Sequence, residues 1–152
     1  MSLTGTNNFF DDFTVGQKIR HFRGKTICES DNVGITLQVL NTAEAHFNEH
    51  VMENSFGKRL QFGGVTISMI IGLSMQDTGE NAIRELGLDK IRLKASVFHG
   101  DTLYALTEVL GKEDQDGKGG IVHFRHVGIN QKNEVVFEGE RRTLIKKRGD
   151  ST

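Results

Sequence analysis

Gly63-Gly64-Val65-Thr66-Ile67-Ser68-Met69-Ile70-Ile71-Gly72-Leu73-Ser74-Met75 is the run from which the architecture follows. Val65, Ile67, Met69, Ile70, Ile71, Leu73 and Met75 put apolar side chains on nearly every side of a helix, as expected for a helix buried all round. Its length, its methionines and Gly79 beyond its end favour helix over strand. Gly63-Gly64 at its start lets the backbone come close to a neighbour. Such a helix needs an apolar surface wrapped around it.

The C-terminal half supplies that surface. Asn81 to Leu86 reads as one more helical turn, stopped by Gly87. From Asp89 the period changes to two, with Ile91, Leu93, Ala95 and Val97 alternating with Arg92, Lys94 and Ser96. His99-Gly100-Asp101 turns the chain into a strand over Thr102 to Leu110. The hairpin loop from Asp114 to Gly120 leads to Ile121–Ile129, and Asn130-Gln131-Lys132-Asn133 turns into Val135–Lys146.

Upstream, Phe9, Phe10 and Phe13 are expected to pin the N-terminal segment to the core, and Gln17 to Cys28 reads as a strand. Glu29-Ser30-Asp31 opens a helical stretch through Val33, Leu37 and Leu40, and a second runs from about Thr42 to Met52. Whether they form one bent helix or two is open at this level. The order is strand, helices, buried helix, then a meander of strands. It is met by an α+β fold with a curved antiparallel sheet around a central helix, the hot-dog arrangement. Residues 1–8 are expected to be loose, 9–147 to form the domain and 148–152 to be a tail.

Bulk properties narrow the chemistry. The 152 residues suit one domain, and 19 basic against 20 acidic residues leave no electrostatic case for nucleic acid. No run of about 18 apolar residues suggests a membrane span. Met1 to Thr6 has neither the basic start nor the apolar core of a signal peptide. Cys28 is the only cysteine, which excludes an internal disulfide and a cysteine-based zinc site. A cytoplasmic protein is the expectation.

The reactive letters lie in Asn41-Thr42-Ala43-Glu44-Ala45-His46-Phe47-Asn48-Glu49-His50. His46 to His50 spells H-x-x-E-H, an inverted zinc-peptidase motif, and on one helix face the two histidines would suit zinc. A third ligand and a cleft would still be needed, and so short a motif arises often by chance, so no metal is expected. The other reading is an acid–base pair, Asn41 and His46. An imidazole exchanges protons near neutral pH, while an amide orients but cannot act as base. Taken alone, both residues fit equally well as caps and packing groups of a helix.

Longer matches favour chemistry. Phe56-Gly57-Lys58-Arg59-Leu60 resembles the FGRPL approach to the central helix of MaoC-type acyl-CoA dehydratases, which include R-specific enoyl-CoA hydratases. Val97-Phe98-His99-Gly100-Asp101-Thr102-Leu103-Tyr104 resembles that family's PVFxGDTLY strand. Asn41 and His46 match the ends of its D-x-N-P-x-H site, with Asn41 in place of the acid. Asn41 to Phe47 is closer still to the N-T-x-P-L-H-F of mesaconyl-CoA and itaconyl-CoA hydratases, a branch that Asn81 to Gly87 also resembles. Where that branch has N-S-T-x-T, this chain has Phe62-Gly63-Gly64-Val65-Thr66.

The resemblance implies a hydratase or dehydratase acting on an enoyl-CoA thioester, with no metal or redox cofactor. His46 would carry the proton and Asn41 orient the water. Gly63 and Gly64 would meet the thioester oxygen, Ser68 would line the site, and Arg92, with Lys94, would meet coenzyme A phosphates. A homodimer is implied, since hot-dog sheets leave an open edge strand. A thioesterase and a non-catalytic acyl-CoA-binding subunit are the alternatives; the acyl chain is undetermined.

Overall fold

The apolar run folds as a helix over Gly63–Thr78, capped by Gly79, and packs against one five-stranded antiparallel sheet. The structure, a computed structural model, describes residues 8–115 and 119–149. In chain order the elements are β1 (Lys18–Thr26), α1 (Ile35–Gln38), α2 (Glu49–Met52), α3 (Gly63–Thr78), β2 (Ala82–Leu93), β3 (Thr102–Gln115), β4 (Gly119–Ile129) and β5 (Val135–Ile145). The sheet order is β1-β3-β4-β5-β2, so β1 and β2 are its edges. This is the hot-dog arrangement.

Alternation along β3 and β5 builds the inner face. Leu103, Ala105, Phe137 and Val136 are fully buried and meet Ile70 of α3, with Ile27 and Val97 closing the cluster. Burying each such large apolar side chain contributes about 1.5–3 kcal/mol. Gly128 has no side chain because Ile70 lies over it; an added Cβ would stand 2.6 Å from the isoleucine. Phe10 and Phe13 join Val109, Val122, Phe124 and Ile145 in a second cluster, which ties the N-terminal segment down as expected.

Three sequence expectations are corrected. Asn81–Leu86 is not a helical turn: from Ala82 it is strand, paired with β5 from Ala82↔Ile145 to Leu93↔Phe137. Sheet pairing outweighs the weak helical preference of Ala-Ile-Arg-Glu-Leu. The alternating run ends at Leu93, and Lys94–Ser96 is irregular. Nor is α3 buried all round: Val65, Ile70, Ser74 and Thr78 are covered, but Ser68 and Gly72 are exposed. The sheet covers one side of the helix only. The open side and β2 border a cavity of about 660 Å³ that includes Ile67, Ser68, Ile71, Met75, Leu88 and Arg141.

The two helical stretches before α3 are separate. A π-turn over Ser30–Gly34 runs into α1, and Leu40, at φ +59°, ends that stretch in the left-handed region. A short 3₁₀ turn over Glu44–His46 and then α2 follow. Turn chemistry behaves as expected elsewhere: Asp101 Oδ2 accepts from Phe98 N–H, and Asn130 Oδ1 from the N–H groups of Lys132 and Glu134. Of the expected loose ends, residues 1–7 and 150–152 lie outside the described residues, as does part of the hairpin loop, 116–118. Asn8 is buried, and Arg148 pairs with Asp12.

Candidate active site

His46 reaches its position through a clip of three strands of chain. Leu60 N–H donates to Ala45 O, Gln61 N–H to Val97 O, and Phe62 N–H to the side-chain Oδ1 of Asn32, each at 2.9 Å. Asn32 Nδ2 in turn donates to His46 O at 3.2 Å and weakly to Leu60 O. The His46 ring is 9% exposed and lies 5.5 Å from the ring of Phe62.

The ring's tautomer follows from its partner. Nδ1 sits 2.9 Å from Leu60 O, and a carbonyl only accepts, so Nδ1 carries the proton. In the neutral ring Nε2 is then the acceptor nitrogen, and it has no hydrogen bond among the described residues. His46 lines a cavity of about 260 Å³ with Gln61, Gly63, Thr66, Lys94 and Ser96. The side chains come from four segments: the 3₁₀ turn, the strap before α3, the first turn of α3 and the stretch after β2.

Gly63 and Gly64 open α3, and their backbone N–H groups have no acceptor among the described residues, as at any helix start. A side chain at Gly63 would collide with Leu93, and one at Gly64 with the Phe62 ring. These N–H groups carry the positive end of a 16-residue helix. Lys94 is exposed at the cavity and has no ion-pair partner among the described residues.

The remaining expected site residues lie apart. Asn41 is outside the lining of this cavity, and its Oδ1 accepts from Ala43 N–H at 3.0 Å in a local turn. Ser68 borders the larger cavity on the open side of α3. Arg92 is exposed, its guanidinium on the carbonyl of Ile91. Gln61, Thr66 and Asn32 were not singled out by the sequence. Gln61, a polar residue two positions before the glycine pair, was the one available signal.

The H-x-x-E-H letters do not share a helix face. His46 belongs to the 3₁₀ turn, and His50 is an exposed residue of α2, 3.5 Å from Glu53. Glu49 is taken by Arg59, whose backbone N–H and guanidinium hold its carboxyl below the usual range. Among the described residues no three His, Cys, Asp or Glu side chains converge.

A second polar cluster lies under the C-terminal half of α3. His21 Nδ1 donates to Asp77 at 2.7 Å, and the Thr107 hydroxyl lies between His21 Nε2 at 2.6 Å and His126 Nδ1 at 2.8 Å. Arg141 donates to Thr143 and to both oxygens of Thr78. Burial lowers the pKa of His21 against the pull of Asp77, and pushes that of His126 well down, with Arg141 adding to the effect. With His21 neutral, the Thr107 hydroxyl donates to its Nε2 and accepts from His126 Nδ1, which completes the chain of bonds.

A sequence profile described as mesaconyl-CoA hydratase matches residues 5–147. The beta-methylmalyl-CoA dehydratase of Chloroflexus aurantiacus is 35% identical over 95% of this chain and 42% of its own length. The chain thus spans less than half of that curated relative. A MaoC domain dehydratase structure from the same organism superposes with TM-score 0.85 at 32% identity, over 95% of this chain and 46% of that one. A Mycobacterium tuberculosis protein with a double hot-dog fold, 21% identical, gives TM-score 0.81 over 96% of this chain and 46% of its own; it bears on the fold alone.

Proposed function

The chain belongs to the mesaconyl-CoA hydratase family, and from that premise we propose that it adds water to, or removes it from, the double bond of an enoyl-CoA-type thioester. The observation that carries the reading is His46, a buried ring with Nδ1 committed to Leu60 O and Nε2 left free as a base at a cavity. In hydration, Nε2 takes a proton from water as the oxygen bonds to Cβ. The π electrons move to the thioester oxygen, which the Gly63 and Gly64 N–H groups stabilise. The imidazolium then returns its proton to Cα. No electrons leave or enter the substrate, so the cycle needs no redox cofactor, and the Gly63 and Gly64 N–H groups do the work that a Lewis-acid metal would do at the thioester oxygen.

Lys94, a cation at the cavity with no ion-pair partner among the described residues, suits a second carboxylate on the acyl group, the kind of substrate that the relatives' names carry. Arg92 is assigned to the coenzyme A phosphates. Asn41 contributes through the turn it closes before the His46 segment, a narrower part than holding the water. The open side of α3 and the free edge of β2, where Ile83, Leu88 and Leu93 are exposed, suit a second copy of the chain. Ser68 lies on that face. The reaction is assigned to the cytoplasm, whose reducing conditions suit the exposed thiol of Cys28.

The test is loss of enoyl-thioester absorbance with crotonyl, mesaconyl and itaconyl thioesters. His46→Ala should lower turnover about 10²–10⁴-fold, the usual worth of acid–base help, with thioester binding nearly intact. Turnover close to wild type in that variant overturns the assignment. Release of free coenzyme A thiol instead of a loss of the double bond points to a thioesterase.

A further inference from the structure

Gln61 has no part in the chemistry above, yet it borders the same cavity as His46. It is 4% exposed, and its Nε2 donates to Thr66 Oγ1 at 2.9 Å. Its Oε1 is buried and has no hydrogen-bond partner among the described residues. Folded proteins seldom bury an amide oxygen unpaired unless a ligand or water comes to it. The Nε2 end is paired with the Thr66 hydroxyl, and the open end is the acceptor oxygen.

The placement of Gln61 is fixed from both sides. Leu60, directly before it, accepts from His46 Nδ1, and Phe62, directly after it, donates to Asn32. The backbone that sets the tautomer of His46 therefore also sets Gln61. Asn41, the other amide considered for this work, spends its oxygen on Ala43 N–H and lies outside the cavity lining.

Resting on the hydratase reading, we propose that Gln61 is a positioning residue whose open amide end holds the hydroxyl group on which His46 acts. That group is water in the hydration direction and the β-hydroxyl of a 3-hydroxyacyl thioester in the reverse. One O–H of the water is directed to His46 Nε2 and the other to Gln61 Oε1, which leaves an oxygen lone pair for Cβ. Gln61 exchanges no proton. It acts by geometry, so its removal should change kcat and hydroxyl recognition while leaving the rest of thioester binding alone.

The experiment compares binding of 3-hydroxybutyryl-CoA and butyryl-CoA by titration calorimetry, in a His46→Ala background so that neither probe turns over. The Gln61-intact chain should prefer the hydroxylated probe by about 2–10-fold, the worth of one net hydrogen bond. Adding Gln61→Met should abolish that preference with butyryl-CoA affinity unchanged, and Gln61→Glu, which keeps an acceptor, should retain it. With His46 present, Gln61→Met should lower kcat about tenfold or more while KM stays within about twofold. Hydroxyl preference and kcat both unchanged in Gln61→Met would overturn the proposal and leave the residue as a structural peg on Thr66. If wild type hydrates and His46→Ala does not, that failure touches Gln61 alone. If the intact chain binds neither probe and hydrates no thioester, the hydratase reading falls and takes this inference with it.

Discussion

Asn32 is the side chain on which the whole candidate site hangs, and replacing it by alanine is the most informative structural perturbation. Its amide is 7% exposed and works in both directions. Oδ1 accepts from Phe62 N–H at 2.9 Å and from the Thr36 hydroxyl at 3.4 Å, while Nδ2 donates to His46 O at 3.2 Å and Leu60 O at 3.4 Å. One side chain thus joins the π-turn, the His46 turn and the start of α3. In Asn32→Ala the Phe62 N–H and the His46 carbonyl lose their partners and the Thr36 hydroxyl loses a weak one, while the Leu60 carbonyl keeps His46 Nδ1. Each group left unpaired in the interior costs about 1–3 kcal/mol, and water entering the vacated space recovers part of it. The net loss should be about 2–4 kcal/mol, a fall in Tm of about 4–16 °C for a chain of this length. Turnover should fall further than stability explains, because the His46 backbone is released. Urea denaturation and enoyl-thioester hydration, both at a temperature where the variant is folded, measure the two effects. A stability change below about 0.5 kcal/mol with unchanged turnover would refute the reasoning. Asn32→Asp should rescue little, because it keeps the acceptor for Phe62 but turns a carboxylate oxygen towards two carbonyls.

Acid should weaken the fold through His21 and His126. Burial lowers both below their ordinary value of 6.5, so the unfolded chain binds protons that the native chain refuses. Stability is therefore full above about pH 7 and falls as pH drops through the unfolded-state value; a urea midpoint flat from pH 7.5 to 5.5 contradicts this, and His126→Gln should reduce the slope. Leu88→Lys, on the exposed apolar edge of β2, should convert a dimer to a monomer in light scattering, and a wild-type monomer at micromolar concentration would remove the premise. A chelator should leave activity and Tm unchanged, and metal analysis giving about one zinc per chain would reverse the choice between the two readings of His46–His50.

Local chemistry is legible in the sequence wherever nearby residues settle it. The helix at Gly63 was written in seven apolar residues between glycines, and the turns at Asp101 and Asn130 in side chains that bond their own backbone. Alternation revealed β3 to β5, because one face of each strand is buried and the other is not. The matches around Phe56 and Val97 singled out His46, which periodicity alone would have left as a packing residue.

Tertiary structure decided what depends on partners distant in the chain. Ala82–Leu86 is a strand only because β5, some 60 residues on, offers it a ladder; its own letters favour helix. The tautomer of His46 is set by a carbonyl fourteen residues away, and Gln61, Gly63 and Lys94 meet it through folding alone. The polar cluster of His21, Thr107, His126 and Arg141 draws on four strands, and each of its members by itself reads as an ordinary polar residue. The composition of α3 specified an apolar environment on every side, whereas the fold of one chain covers only one of them. A local pattern can state that a surface must be buried; only the arrangement of the chain in space determines against what.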